Sequence, residues 1–476
     1  VKKRFIFPGV IFLLAYAAPA PAAGWSHPRA LTFAPLEWKI PAAERYELNN
    51  GMVVYLQRDA ELPLFNASAL IKVGSVYEAA GKLGLAEITG EVMRTGGTNA
   101  PARAMSGDEI DEEIEFLAGS VETWIGSESG GASAKVLQKD AGYGLQLLHD
   151  VLVYPAFDAA KLELAKNAEL ERIRRENDYP HGIAAREWMK AVYGKDSPWA
   201  RTPTIETVSN ITREDLVAFH GRYVKPNNTI LTVYGDFDIA EMKKEVEEIF
   251  GGWEREELRF PKVAPIKLDF APGVYFVPKE LDQSTILMGH YGIRRHDANT
   301  FKVIVMNEIL GGGFTSRMTK EVRSNRGLAY SANSKLTEGT DYGVFFAYCS
   351  TKTETTAAAI RVMKEVIASM VAEPPTAEEL AVAKEKITNR FVFRFDDRAE
   401  VVNGLAGLEF WGYPRDYYET YCDNIAAVSQ DGVREVAKEY LKPDGLKILV
   451  VGNAEGFDEP LSVFGEVKEV ELAPPE

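Results

Sequence analysis

Apolar positions along the chain follow two periods. Short runs rich in β-branched and aromatic residues predict strands: MVVYLQ (52–57), ASALIKVG (67–74), TILTVYG (229–235), VYFVP (274–278), TILMGHYG (285–292) and KILVVG (447–452). Other stretches carry the helical period. In GLAEITGEVMRTGGT (84–98), Leu85, Ile88, Val92 and Met93 recur at helical spacing and Gly96-Gly97 stops the helix. Glu87 and Glu91, four apart, share one face of it. In PPTAEELAVAKEKITNRF (374–391), Thr376 and Glu379 form a capping-box pattern, and the charges predict a solvated helix face.

The pattern repeats. ITREDLVAFHGRYVKPNNTILTVYGD (211–236) returns as VSQDGVREVAKEYLKPDGLKILVVGN (428–453), 217 residues later throughout. Thr212 matches Ser429 as a helix cap, with Ile211 and Val428 as staple residues before them. Tyr223 matches Tyr440, and Lys225-Pro226 matches Lys442-Pro443. The same offset puts Glu91 on Glu308, Met93 on Leu310 and Gly96 on Gly313. Two homologous halves of about two hundred residues each are therefore expected, at 24–256 and 274–476. ELRFPKVAPIKLDFAPG (257–273), with three prolines, suits the linker. Strands and helices do not alternate strictly, so the expected class is α+β, each half a mixed sheet with packed helices.

The N-terminus departs from this scheme. Lys2, Lys3 and Arg4 precede the apolar run FIFPGVIFLLAYAA, and small residues follow. That order is the one found in secretory signal peptides, with cleavage expected within 20–23. The competing reading is a membrane anchor, for which the run is short and carries Pro8. No cysteine follows to take a lipid, and no later stretch is long and apolar enough to cross a bilayer. Losing residues 1–23 as a signal peptide would take the net charge from −16 to −19, which argues against nucleic acid as a partner. Cys349 and Cys422 are either a disulfide of an oxidising compartment or two buried thiols.

Chemistry was sought in the same sequence. No two of the six histidines lie three or four apart, and His290 and His296 are too widely spaced to make a zinc pair by themselves. There is no nucleophile elbow. LGGGFTSRM (310–318) lacks the ending of a phosphate loop. Gly311, Gly312 and Gly313 predict a mobile loop with exposed amides, a place for another backbone to lie. SRMTKEVRSNRGLAYS (316–331) reads as a short basic helix, a glycine stop and an extended exit. If the helix ends near Gly327, Arg323 and Tyr330 point to one spot, a set of donors suited to a carbonyl or to developing negative charge. The pattern equally allows a surface arginine and a packed tyrosine.

Three stretches, 84–98, 197–238 and 310–331, together with the two-half repeat, resemble the pitrilysin, insulinase and mitochondrial-processing-peptidase family of zinc peptidases. The resemblance spans most of the chain after the leader. It implies that active relatives carry His-x-x-Glu-His on the first helix, two zinc ligands and a base, with a distant glutamate completing the site. Laid on that pattern, this chain has Glu87 for the first histidine, Gly90 for the glutamate and Glu91 for the second histidine. Arg172 stands where the distant glutamate is expected, and a one-residue slip would put Glu171 there. An arginine at that position would repel zinc and is expected to pair with Glu87 or Glu91. In the second half, Arg323 and Tyr330 match the pair with which active relatives hold the substrate backbone.

The resemblance thus implies a non-catalytic, substrate-binding subunit of a heteromeric zinc metalloendopeptidase. It would be inactive alone, with no cofactor of its own and with zinc and the general base in a homologous partner. The expected substrates are peptides or unfolded polypeptides, and the expected location is the periplasm. Two alternatives stand beside it: a stand-alone peptide-binding or scaffold protein, and a divergent hydrolase that uses Glu87 and Glu91 with another metal.

Overall fold

The computed structural model describes residues 40–472. The expected signal peptide lies outside the described residues. The first sheet comprises β1 (Glu44–Glu47), β2 (Val53–Arg58), β3 (Leu64–Ile71), β4 (Ser120–Ile125), β5 (Gly130–Leu137) and β6 (Thr229–Gly235), in the order β1-β2-β6-β3-β5-β4. The second comprises β7 (Gly273–Pro278), β8 (Gln283–Tyr291), β10 (Ala329–Leu336), β12 (Val344–Lys352), β13 (Lys447–Gly452) and β14 (Val467–Glu469), in the order β10-β12-β8-β13-β7-β14. β9 (Ile293–Arg294) and β11 (Glu338–Gly339) form a small parallel pair. Both large sheets are mixed: β2 runs parallel to β6, and β7 parallel to β13.

The first half contributes α1 (Leu85–Thr95), α2 (Gly107–Phe116), α3 (Ala141–Val153), α4 (Ala159–Arg174), α5 (Pro180–Tyr193), α6 (Ile205–Ser209), α7 (Arg213–Tyr223) and α8 (Ile239–Phe250). The second contributes α9 (Thr300–Leu310), α10 (Thr356–Ala372), α11 (Ala377–Val392), α12 (Arg398–Phe410), α13 (Tyr417–Ala427) and α14 (Gln430–Tyr440). The repeat is physical. α7 and α14 start one residue after Thr212 and Ser429, whose side chains accept from the backbone N–H of Asp215 and Gly432. The fold is α+β in two tandem halves, as the pattern predicts.

The halves also exchange helices. Val54, Leu56, Leu231 and Val233 face the core of their own half, whereas Tyr55 and Ile230, on the other face, pack against Val402 and Ala406 of α12 from the second half. Reciprocally, Leu287 and Leu449 turn away from the second core and meet Ile183 and Trp188 of α5 from the first half. Central strands are thereby buried on both faces, which is why KILVVG reads as a continuous apolar run. Arg45 on β1 donates to both oxygens of Glu409 on α12 at 2.7 and 2.6 Å, and the Tyr55 hydroxyl donates to the same carboxylate. The segment 257–273 carries no helix or strand before β7. It is pinned at both ends: Phe260 stacks near Tyr223, and the Ile266 N–H donates to Asp341.

Other expectations meet the fold here. Cys349 on β12 and Cys422 on α13 are free thiols, and burial pushes Cys349 up to about 12. His290 is buried and structural: Nδ1 bonds the Tyr291 carbonyl and Nε2 accepts from the Lys442 N–H. The α11 helix is capped by the Thr376–Glu379 box. Its charged face is not wholly solvated, since Glu379 takes both ends of Arg317 and Lys386 donates to Thr315. No helix among the described residues is long and apolar enough to cross a membrane.

Candidate functional site

The α1 helix is set by its first turn. Gly84 before it has φ 98°, in the left-handed region that favours glycine. With no side chain there to cap the helix, the buried Glu78 carboxylate does so from outside, accepting from the Ala86 N–H at 2.6 Å. Arg201 holds the loop by donating to the Glu78 carbonyl at 2.7 Å. Burial pushes the Glu78 carboxyl up to about 7, against the pull of its backbone donors. Leu85, Ile88, Val92 and Met93 are buried in the core, as their spacing predicts. Glu87 and Glu91 line a cleft of about 500 Å³ that β4 closes on its far side.

Gly90, on the same helix, meets β4 directly. A Cβ built on Gly90 would lie 2.3 Å from the Ile125 nitrogen and 2.7 Å from the Trp124 carbonyl carbon. The Thr123 hydroxyl donates to the Gly90 carbonyl at 2.5 Å. Only a residue without a side chain lets helix and strand approach this closely.

Arg172 approaches Glu87 from α4. Its Nη2 lies 4.0 Å from Glu87 Oε2, at the outer limit of an ion pair. Its principal partner is one the sequence reading missed. Glu169, buried one turn earlier, accepts from Arg172 Nε at 2.6 Å and Nη2 at 2.5 Å. The i,i+3 spacing of Glu169 and Arg172 was the available signal. Glu171 instead pairs with Arg174. Arg172, and not Glu171, is thus the residue beside Glu87. The expected pairing with Glu87 is present at that outer limit, beside the closer pairing with Glu169. The hydrogen bond to Glu169 raises the Arg172 guanidinium above its ordinary range. Burial, then the Glu169 charge, pushes Glu87 and Glu91 up, with Arg172 opposing this at Glu87.

In the second half, Arg323 sits on a π-helical turn, Thr319–Asn325. Gly327 then turns the chain with φ 62°, and Tyr330 follows on edge strand β10. The Arg323 guanidinium carbon lies 4.7 Å from the Tyr330 ring centroid, so the two side chains meet. It also lies 5.5 Å from the ring of Phe314, which the sequence reading did not single out. The glycine run is less open than expected. Gly311 is buried, and a Cβ there would lie 2.3 Å from the Ser334 nitrogen; one on Gly312 would lie 2.6 Å from Glu308 Oε2. These glycines allow close packing on β10 and α9, so the expectation of a mobile loop with exposed amides is corrected for Gly311. Glu308, which matches Glu91, is buried and pairs with Arg390 of α11 at 3.1 Å. A carboxylate on the first long helix of each half thus faces an arginine from a later helix.

Two family models match this chain. "Insulinase (Peptidase family M16)" matches residues 53–198, and "Peptidase M16 inactive domain" matches residues 210–387. The chain belongs to peptidase family M16. A Bacillus subtilis protein named "Uncharacterized zinc protease YmxG" is 26% identical over 402 residues, covering 84% of this chain and 96% of the relative. Among solved structures, a peptidase M16 inactive domain from Pseudomonas fluorescens superposes with a TM-score of 0.79 at 22% identity, covering 88% of this chain and all of that one. The periplasmic protease PqqL of Escherichia coli superposes with a TM-score of 0.73 at 12% identity, covering 92% of this chain and 49% of that one. These last two likenesses are of fold.

Family membership raises zinc, and the residues present do not fit it. The motif positions hold two carboxylates and a glycine, and the guanidinium of Arg172 supplies positive charge beside Glu87, where a dication would compete with it. Among the described residues no group of three or more His, Cys, Asp or Glu side chains is placed to hold a metal. Gly90 leaves no base for activating water, and β4 occupies the space where one would start.

Proposed function

We propose that this chain is the non-catalytic, substrate-binding subunit of a heteromeric zinc endopeptidase that acts on peptides or unfolded polypeptides. The observation that carries the reading is a contrast between the halves. The first half has an arginine and a seated β-strand in place of metal chemistry, while the second keeps a half-buried Arg323 against the exposed ring of Tyr330. A homologous partner would bring zinc and the general base. This chain would bring a surface for the peptide. Arg323 donates to a peptide carbonyl and so orients it, and the same donors favour the negative charge that develops on that oxygen during hydrolysis. The naming of curated relatives as zinc proteases supports the peptide as ligand class. A periplasmic location is part of the proposal and rests on the leader-like first residues.

Reconstitution tests it. The chain is mixed with a zinc-motif homologue from the same genome and peptide cleavage is followed, then repeated with Arg323→Ala. Expected are higher activity of the mixture than of the homologue alone and its loss in the variant. A mixture no more active than the homologue sinks the subunit reading. Full activity with Arg323→Ala sinks the role given to that residue.

A further inference from the structure

Among the described residues, the ring of Phe314 meets the Arg323 guanidinium and is otherwise turned to solvent. Phe314 is 80% exposed, and Tyr330 is 84% exposed. The backbone beneath Phe314 is nonetheless tied down. The Gly313 carbonyl accepts from the Ser316 N–H at 3.0 Å and the Thr319 hydroxyl at 3.1 Å. On the other side, the Thr315 hydroxyl accepts from Lys386 at 2.6 Å. The ring is therefore presented to solvent by an anchored loop. An anchored aromatic surface of this kind marks an interaction site rather than a packing residue.

The neighbouring charge says what fits there. The Arg323 guanidinium carbon lies within 5.5 Å of the Phe314 centroid and 4.7 Å of the Tyr330 centroid. Among the described residues the guanidinium makes no ion pair and donates no hydrogen bond. Its N–H donors are free for carbonyl oxygens, with aromatic surface beside them.

We propose that Phe314 is a specificity-determining residue: its ring takes a large apolar side chain, best an aromatic one, from the peptide whose backbone Arg323 and Tyr330 hold. This rests on the peptide-binding reading above and names the class of peptide that the same surface prefers.

The test uses the full chain without a partner and fluorescence anisotropy with short labelled peptides. One carries a single Phe in a Gly/Ser background, a second replaces it by Ser, and a third by Asp. The expected result is that the Phe peptide binds about tenfold tighter than the Ser peptide, as burial of an aromatic side chain implies. The Asp peptide offers the Phe314 ring no apolar side chain and is expected to bind more weakly than the Phe peptide. Phe314→Ala should erase the difference between the Phe and Ser peptides, chiefly by weakening the Phe peptide. Arg323→Ala should weaken all three. Because Phe314 is exposed, its variant is expected to fold, which its thermal melt checks. If the wild-type chain binds no peptide, the peptide-binding reading itself fails. If it binds peptides but does not favour Phe, or if Phe314→Ala keeps the preference, this inference is overturned and the reading stands.

Discussion

The guanidinium of Arg172 is gripped by both oxygens of the buried Glu169, at 2.6 and 2.5 Å, and stands 4.0 Å from Glu87. One arginine thus neutralises a carboxylate that the helix would otherwise bury unpaired and brings positive charge beside a second.

Arg172→Ala leaves the Glu169 carboxylate, whose side chain is 7% exposed, without its partner. Breaking a fully buried pair costs about 3–5 kcal/mol, and the half-exposure of Arg172 brings the expected loss to roughly 1–3 kcal/mol. Urea unfolding measures it. Arg172→Ala with Glu169→Gln should recover much of the loss, and a double variant no more stable than Arg172→Ala would show that the pair is not the cause.

Gly90→Ala sets two effects against each other. Helix propensity alone favours alanine by about 1 kcal/mol. The new Cβ, however, would sit 2.3 Å from the Ile125 nitrogen on backbone that cannot swing aside, an overpacking cost of roughly 1–3 kcal/mol. The expected outcome is a lower melting temperature. A variant more stable than the parent would mean that β4 does not seat on the helix as described.

The Glu78 carboxyl is pushed by burial from 4.5 up to about 7 in the folded chain. Between those values the folded state holds more protons than the unfolded one. The stability contributed by this group is therefore full below 4.5 and is lost as pH rises through about 7. Glu87 and Glu91 are raised too and act in the same direction. Urea midpoints across this window should fall with rising pH, and Glu78→Gln should flatten the slope while keeping an acceptor for the Ala86 N–H. An unchanged slope in the variant would remove Glu78 as its source.

Glu409→Ala removes the carboxylate that Arg45 and Tyr55 share across the two halves. The pair is partly buried, so a loss of roughly 1–3 kcal/mol is expected. Because α12 and α5 remain packed on the opposite sheets, calorimetry should still show one transition at a lower temperature. Two separate transitions would indicate that this latch, rather than helix exchange, couples the halves.

Legibility followed the range of the interactions. Strands such as KILVVG, the caps at Thr212 and Ser429 and the core face of α1 were all readable, because each depends on residues within a few positions of one another. The convergence of Arg323 and Tyr330 followed from seven residues of chain and the left-handed turn at Gly327. Gly311 was misread as loop freedom because the cause of that glycine, Ser334, lies on a strand more than twenty residues away. Phe314 went unnoticed because nothing local distinguishes an exposed phenylalanine from a buried one.

Two things were legible in the sequence: a duplicated α+β chain, and a resemblance that lays Glu87, Gly90, Glu91 and Arg172 on the metal-motif positions. Both are matters of residue identity and short spacing. The seating of β4 on Gly90 and the covering of each half's sheet by α5 or α12 of the other half are settled by packing alone. Those outcomes depend on which distant segments share a face after packing, and short-range periodicity does not encode that choice.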